Sequence, residues 1–216
     1  MWRLSENNQQ FIKRSMMSKT VSCAENNMAL VSMRTRRSVP PALLSQPAPD
    51  HHELMGILNV ASRVPDHGML IPWRFVLVQG EQTEELLQAF LDHHKREEED
   101  PALIKAMRSR LTKWMVGPPL IVFLIWRHTR TDDFPELDQL LSAGAVATSF
   151  LHAVHASGYA SIWLTGWPCL SNAGAEIFQL EDNERLIGLF PVGTAIKRPA
   201  ERARPDINSL VSNWRS

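Results

Sequence analysis

The stretch "LIVFLIW" at residues 120–126 is an unbroken apolar run rich in β-branched and aromatic side chains. A run of this length and composition predicts a strand that is buried on both faces of a sheet. Gly117, Pro118 and Pro119 stand directly before it and end the helical pattern that precedes them. The strand at 120–126 is therefore expected to lie at the centre of the fold.

Helical and strand patterns are intermixed on both sides of this run. The longest helical pattern, at 136–157, is apolar on most faces and rich in small side chains, so this helix is expected to be packed on all sides, with Gly158 as its cap. Residues 39–49 hold four prolines and are expected to form an extended connector. A sheet of four or five strands follows from these patterns. The predicted helices are 28–37, 50–61, 82–96, 101–114, 136–157 and 171–180, and the predicted strands are 73–79, 120–126, 159–166 and 185–195.

The bulk composition indicates an ordinary globular protein. The chain has 216 residues, 44% of them apolar, and 23 basic residues balance 23 acidic ones. This balance gives no general attraction to nucleic acid or to an anionic membrane. Two cysteines provide no disulfide framework, and no apolar run could span a bilayer, so a cytoplasmic protein is expected.

Residues 1–27 are polar and show no helical or strand periodicity. They are expected to be a disordered extension, or an upstream translation artefact, before a single domain at 28–216.

A cluster of cations lies near the start of this domain. Arg34, Arg36 and Arg37 are followed by Ser38. Guanidinium groups pair with phosphate oxygens, and a serine hydroxyl adds a short donor, so the cluster is typical of an anion site. The alternative is a solvated helix end, where cations complement the helix dipole.

A second candidate is the loop that enters the strand at 73–79. Arg63, Asp66 and His67 lie in it, and Pro65 and Pro72 make it rigid. Rigid, charged loops are common at binding sites. The alternative is a salt bridge within the loop and an ordinary surface histidine.

A third candidate lies where the predicted strand 159–166 leaves the core. This segment could hold a flat ligand against exposed backbone N–H groups, or could form a core strand with a tight turn; its residues of interest are Trp163, Thr165, Gly166 and Trp167.

The histidine pairs of the chain lack the spacing of a metal site, so no metal is expected. No catalytic triad motif, Walker loop or GxGxxG motif is present.

Taken together and in this order, these segments resemble one known family. "RRS", "RVPDHGMLIPWRFVLVQG", the helix ending in "HASGYASIWLTG" and the late "GLFPVGT" are similar to the FMN-dependent nitroreductases, and most of all to their minimal bacterial members. The resemblance covers about residues 28–196. It implies an α+β fold with a central, mostly antiparallel sheet flanked by helices, and a homodimer with FMN at the interface.

The resemblance also implies roles for individual residues. Arg36, Arg37 and Ser38 would hold the FMN phosphate and ribityl chain, and Arg63 and His67 would reach the same FMN from the other subunit. The isoalloxazine would be lined by Trp163, Leu164 and Thr165. The segment implied for NADH or NADPH consists of Ala153, Val154, His155, Ala156, Ser157 and Gly158.

The implied activity is reduction of a nitroaromatic, a quinone or a similar small-molecule acceptor by NAD(P)H, in a ping-pong reaction whose chemistry takes place on FMN. No side chain is then expected to be an obligatory acid or base. Two positions depart from the family pattern: Ile71 stands where Gln often precedes Pro-Trp, and Leu164 stands where close relatives have Arg. These departures keep one alternative open, a non-catalytic flavin-binding or regulatory dimer. A cofactor-free interaction domain is a further alternative, which would follow if the arginines only cap a helix.

Overall fold

A computed structural model of the chain describes residues 27–215. The chain divides into two compact units, one that ends at Arg36 and one that begins at Arg37. In the first unit, helix α1 (Met28–Thr35) is capped by Asn27, whose side chain accepts hydrogen bonds from the backbone N–H groups of Ala29 and Leu30. The prediction for residues 1–26 lies outside the described residues.

The second unit contains an antiparallel sheet of five strands, in the order β1, β5, β3, β2, with β4 also paired to β5. The sheet and the helices around it confirm the predicted fold class. The strands are β1 (Leu44–Ser45), β2 (Trp73–Gln79), β3 (Leu120–Arg127), β4 (Ala160–Ser161) and β5 (Glu184–Ala195). The helices of this unit are α2 (His51–Ala61), α3 (Gln82–Glu97), α4 (Pro101–Met115), α5 (Glu136–Ala156), α6 (Gly166–Leu170) and α7 (Asn172–Ile177).

Strand β3 is central, as its apolar run predicts. Residues Leu120, Val122 and Leu124 face a core formed with α2 and α5, whereas Ile121 and Phe123 face a second core formed with α3 and α4. Alternate residues of a strand point to opposite faces, so a strand between two helical layers must be apolar throughout. The doubly buried run at 120–126 is therefore confirmed.

Local sequence signals define one end of each of two helices. The Asp50 carboxylate accepts a hydrogen bond from the Glu53 N–H, and the Glu53 carboxylate accepts one from the Asp50 N–H, which is a capping box at the start of α2. Helix α5 ends at Ala156, and Gly158 follows with φ +88°. A positive φ is accessible to glycine at little cost, so this residue ends the helix as predicted.

Helix α5 is not packed on all sides as predicted, because Leu137 and Leu141 on its first turns are exposed. Two further predicted segments are wrong in detail. Residues 159–166 do not form one strand: only β4 is regular, Leu164 forms an isolated bridge with Leu189, and Gly166 already begins α6. The connector at 39–49 is not purely extended, because it contains a 3-10 turn (Pro41–Leu43) and strand β1. In both cases pairing with β5 decides the backbone, and this long-range contact leaves no periodic signal in a short segment.

An ion pair joins two strands of the sheet. Arg74 of β2 donates from Nε and Nη2 to the two carboxylate oxygens of Glu184 in β5, at 2.6 and 2.7 Å. The Glu184 side chain is only 4% exposed. The Arg74 hydrogen bonds are the main reason why the pKa of Glu184 is lowered, so this carboxylate is ionised and compensated.

Within residues 27–215, no helix is long and apolar enough to cross a membrane.

Candidate functional site

The loop at 63–72 is held in an unusual backbone conformation. Met69 and Ile71 have positive φ angles of 52° and 50°, as does Gly68 at 78°. The Asp66 carboxylate accepts hydrogen bonds from the backbone N–H groups of Leu70 at 3.3 Å and Ile71 at 2.8 Å. A positive φ at a β-branched residue costs about 1–3 kcal/mol and persists where the surroundings enforce it, often at functional sites. Asp66 therefore has a structural role, which is to fix the loop.

His67 is docked onto the start of helix α5. Its Nδ1 lies 2.9 Å from Oδ2 of Asp138, and its ring packs edge-on against Phe134, with the ring centroids 4.8 Å apart. The imidazole remains largely exposed, with 57% of the side chain accessible. Arg63 in the same loop is exposed and forms no ion pair within the part of the chain that is described. The loop thus presents one guanidinium and one oriented imidazole to the surface.

Arg37 lies at the other candidate site, near the start of the second unit. Its side chain is 18% exposed, its Nη1 donates to the carbonyl oxygen of Ala200, and the same nitrogen is 3.5 Å from Oε1 of Glu201. Oε1 also accepts a hydrogen bond from Arg204 at 2.8 Å. The carboxylate therefore holds two guanidinium groups close together. Sequence reasoning missed this contribution of the C-terminal segment, although its basic composition at 197–204 was a signal.

The segment that contains Ser38 runs beside the strand that leads to Trp163. The N–H of Val39, which directly follows Ser38, donates to the carbonyl oxygen of Ser161 at 3.1 Å. This contact brings two of the predicted clusters together. Arg36 is the last residue of the first unit, where its N–H donates to the Ser32 carbonyl and ends helix α1, and its role at the site stays a prediction.

The Trp163 side chain is held in one orientation by two contacts with β5. Its indole Nε1–H donates to the Ile187 carbonyl at 3.0 Å, and its ring stacks on Phe190 with an interplanar angle of 26°. The N–H and C=O of Leu164 both pair with Leu189, at 3.0 and 2.9 Å. The N–H of Leu164 is thus already used within the sheet, whereas the neighbouring Thr165 is exposed. A flat ligand is therefore expected to meet the backbone at Thr165 rather than at Leu164.

Residues 33–194 match the model of the nitroreductase family. The chain belongs to the nitroreductase family. It is 29% identical over 182 residues, 83% of this chain and 93% of the other, to the Escherichia coli (strain K12) protein named "Putative NAD(P)H nitroreductase YdjA".

Solved structures agree on the nitroreductase fold. A nitroreductase-like family protein from Bacillus cereus superposes with a TM-score of 0.76 at 19% identity, covering 88% of this chain and 97% of that one. The FMN-dependent nitroreductase NfnB from Mycobacterium smegmatis, in complex with NADPH, has a TM-score of 0.66 at 14% identity, covering 87% and 98%.

The segment predicted for the nicotinamide nucleotide divides into two parts in this nitroreductase. Ala153 and Val154 lie on the buried face of α5, whereas Ala156, Ser157 and Gly158 are exposed at the C-terminal end of this helix. His155 is half-buried. The exposed end of the segment is accessible to a nucleotide, and Ala153 lines a surface cavity together with Ala156 and Ser157. The role of residues 153–158 stays a prediction.

The two adjacent histidines of helix α3 make packing contacts and do not form a metal site. His93 and His94 pack edge-on against the Trp167 ring, and Nε2 of His93 lies 3.3 Å from Oε1 of Glu176. Among the described residues, no group of three or more His, Cys, Asp or Glu side chains could hold a metal ion. These histidines therefore join α3 to the segment at 166–177.

Gly68 is expected to be required for the docked position of His67. A Cβ at this position would lie 2.7 Å from the Phe134 ring, and the backbone has φ +78°. Gly80 is the matched control, because it also has a positive φ, +60°, but faces open space. Both glycine-to-alanine changes carry the left-handed penalty of about 1–2 kcal/mol. Gly68→Ala should lower the free energy of unfolding in urea by about 1–3 kcal/mol more than Gly80→Ala, and equal losses would contradict the packing of the loop against Phe134.

Proposed function

We propose that this nitroreductase-family chain is an FMN-dependent oxidoreductase that uses NADH or NADPH to reduce nitroaromatic, quinone or similar acceptors. The observation that carries the proposal is the meeting of the Arg37–Ser38 segment with the strand that leads to Trp163, through the Val39–Ser161 hydrogen bond. A segment that carries a cation pair, hydrogen-bonded to the strand that leads to a fixed aromatic ring, suits a ligand with a phosphate at one end and a flat ring at the other. The names of the relatives support the same cofactor and cosubstrate.

The residues present fit a flavin mononucleotide. The guanidinium groups of Arg37 and Arg204, held on one carboxylate, are suitable donors for phosphate oxygens, and the Ser38 hydroxyl adds a neutral donor. Trp163 is stacked on Phe190 and offers apolar surface to a ring. Bound FMN would supply the redox chemistry by taking a hydride from the nicotinamide and passing electrons to the acceptor.

The chain's own residues would bind the FMN and orient it. Arg37 and Ser38 would hold the phosphate end, and the backbone at Thr165 would meet the polar edge of the ring. The Arg74–Glu184 pair is fully engaged within the sheet, so its carboxylate is a poor candidate for a base. No side chain is assigned as an acid or base, in keeping with catalysis by the cofactor.

A homodimer is part of the proposal. Exposed apolar side chains cluster on the first turns of α5 and on the docked loop: Leu137 is 62% exposed, Leu141 61%, Met69 85% and Ile71 55%. Large exposed apolar groups on neighbouring elements are typical of a surface that another subunit covers. Arg63 and His67 lie in this loop and would then reach the FMN of the partner. A cytoplasmic location also stays a prediction.

A non-catalytic flavin-binding dimer is the second candidate. Leu164 favours it, because its apolar side chain packs in the core formed with α3 and α4 and provides no cation toward a flavin. Ile71 favours it as well, since it is exposed and holds no amide at the loop.

An absorption spectrum of the purified protein, followed by anaerobic addition of NADH or NADPH, tests the proposal. A flavin spectrum that the nicotinamide bleaches, and that menadione restores, is the expected result. A yellow protein that neither nucleotide bleaches would favour the non-catalytic dimer. A colourless protein that binds no added FMN would refute both and favour a cofactor-free interaction domain.

A further inference from the structure

A cavity of about 560 Å³ opens next to Thr165, between the end of β3, the segment at 165–175 and the first residues of β5. Its wall is largely apolar, with Leu140, Pro168, Leu186 and Ile187 among the lining residues. A cavity of this size holds a small aromatic molecule. Its contact with Thr165 places it beside the backbone where the flavin ring is proposed to bind.

The ionisable groups of the cavity leave a net positive charge. Glu184 lines it, but both carboxylate oxygens are engaged by Arg74, so its charge is compensated. Burial raises the pKa of the Cys169 thiol to about 12, so this group is neutral at physiological pH. Arg185 also lines the cavity, is exposed, and forms no ion pair with any residue in the range 27–215.

One buried donor in the lining has no partner. The indole Nε1 of Trp126 is inaccessible to solvent and makes no hydrogen bond to the described residues. Trp126 is itself 3% exposed, and the Arg185 guanidinium lies over its ring, 5.8 Å from the centroid. An indole N–H can only donate, and a buried donor left unpaired is unfavourable. Because this nitrogen is shielded from solvent, a ligand in the cavity would meet other atoms of Trp126 and not its N–H.

We propose that this cavity binds the electron acceptor, and that it selects flat aromatic molecules that carry a carboxylate. The carboxylate would pair with Arg185, and the ring would pack on the apolar wall. This inference rests on the proposed function, because it assigns the acceptor class of the same redox site. For a nitro acceptor, one turnover consumes one NAD(P)H and one proton, breaks one N–O bond, and yields the nitroso compound, water and NAD(P)⁺.

The test compares 4-nitrobenzoate with nitrobenzene, its uncharged analogue, as substrates of the FMN-loaded dimer. We expect a KM at least about tenfold lower for 4-nitrobenzoate, as one charge-assisted contact is worth a factor of this order. Arg185→Gln should raise the KM for 4-nitrobenzoate by about tenfold, with no change for nitrobenzene, and Arg185→Lys should restore part of the difference. Equilibrium dialysis of 4-nitrobenzoate against the oxidised protein should give the same order of affinities without turnover.

Control variants and controls on the flavin show whether a negative result contradicts the acceptor inference alone or the proposed function as well. Arg110→Gln, on the exposed side of α4 and outside the cavity lining, should leave both substrates unchanged. If Arg185→Gln alters the two substrates equally while NAD(P)H still reduces the flavin and menadione reoxidises it, the acceptor inference is overturned and the proposed function stands. If the protein binds no FMN or NAD(P)H does not reduce it, the proposed function fails and the inference falls with it.

Discussion

Arg74→Met is expected to lower the free energy of unfolding by about 3 kcal/mol at neutral pH, because it leaves the Glu184 carboxylate buried without its partner. The Glu184 side chain is 4% exposed, and Arg74 provides two hydrogen bonds to it, at 2.6 and 2.7 Å. The loss should lie at the lower end of the range for buried pairs, since the Arg74 side chain is 33% exposed. Urea unfolding of the two proteins at several pH values measures it.

The pH dependence follows from the lowered pKa of Glu184, which the hydrogen bonds from Arg74 mainly cause. A carboxyl group whose pKa is lower in the folded state stabilises the protein above its unfolded pKa, about 4.3 for glutamate. This stabilisation is lost as the pH falls through the folded value. The difference between wild type and Arg74→Met should therefore be largest near neutral pH and shrink in acid.

The double variant Arg74→Met/Glu184→Leu is the control for this interpretation. It removes both charges, so no uncompensated carboxylate remains, and much of the lost stability should return. A double variant as unstable as Arg74→Met would mean that the arginine stabilises the sheet by packing alone.

Arg37→Ala is expected to weaken FMN binding by about ten- to a hundredfold, because a hydrogen bond to a charged group is worth about 1.5–3 kcal/mol. The affinity for riboflavin, which has no phosphate, should change little. Fluorescence titration of the apoprotein with the two flavins measures both affinities. Equal losses for FMN and riboflavin would contradict the assignment of Arg37 to the phosphate.

A mixed dimer can locate the partner's contribution. If Arg37 and His67 contact one FMN from different subunits, a dimer of one Arg37→Ala subunit and one His67→Ala subunit contains one doubly altered site and one intact site. Half of its sites should then bind FMN with wild-type affinity. If both residues acted within one subunit, each site would carry one substitution and no wild-type site would appear.

The sequence was most informative where a pattern repeats over several turns or along a strand. The doubly buried run at 120–126 and the end of helix α5 at Gly158 could be identified from the residues alone. The order of its charged and aromatic clusters also pointed to the nitroreductase family. Local signals suffice for such features because each depends on neighbours within a few residues.

Contacts between distant segments could not be inferred in this way. The sequence grouped Asp66 with His67 as charged neighbours, but only the fold turns Asp66 inward to the loop backbone and pairs His67 with Asp138, 71 residues away. Pairing with β5 likewise left only the short strand β4 and a single bridge at Leu164 where one longer strand was predicted.

Composition and local periodicity by themselves determined the mixture of helices and strands, the buried central strand and the identity of the cationic clusters, and the family resemblance implied the α+β class. Only the tertiary structure decided which of these groups meet: it joined Arg37 to Glu201 and neutralised Glu184 with Arg74. The physical reason is that helix and strand signals come from the chemistry of nearby residues. The pairing of a charge, in contrast, depends on which distant segment the packed sheet and helices bring within hydrogen-bond distance.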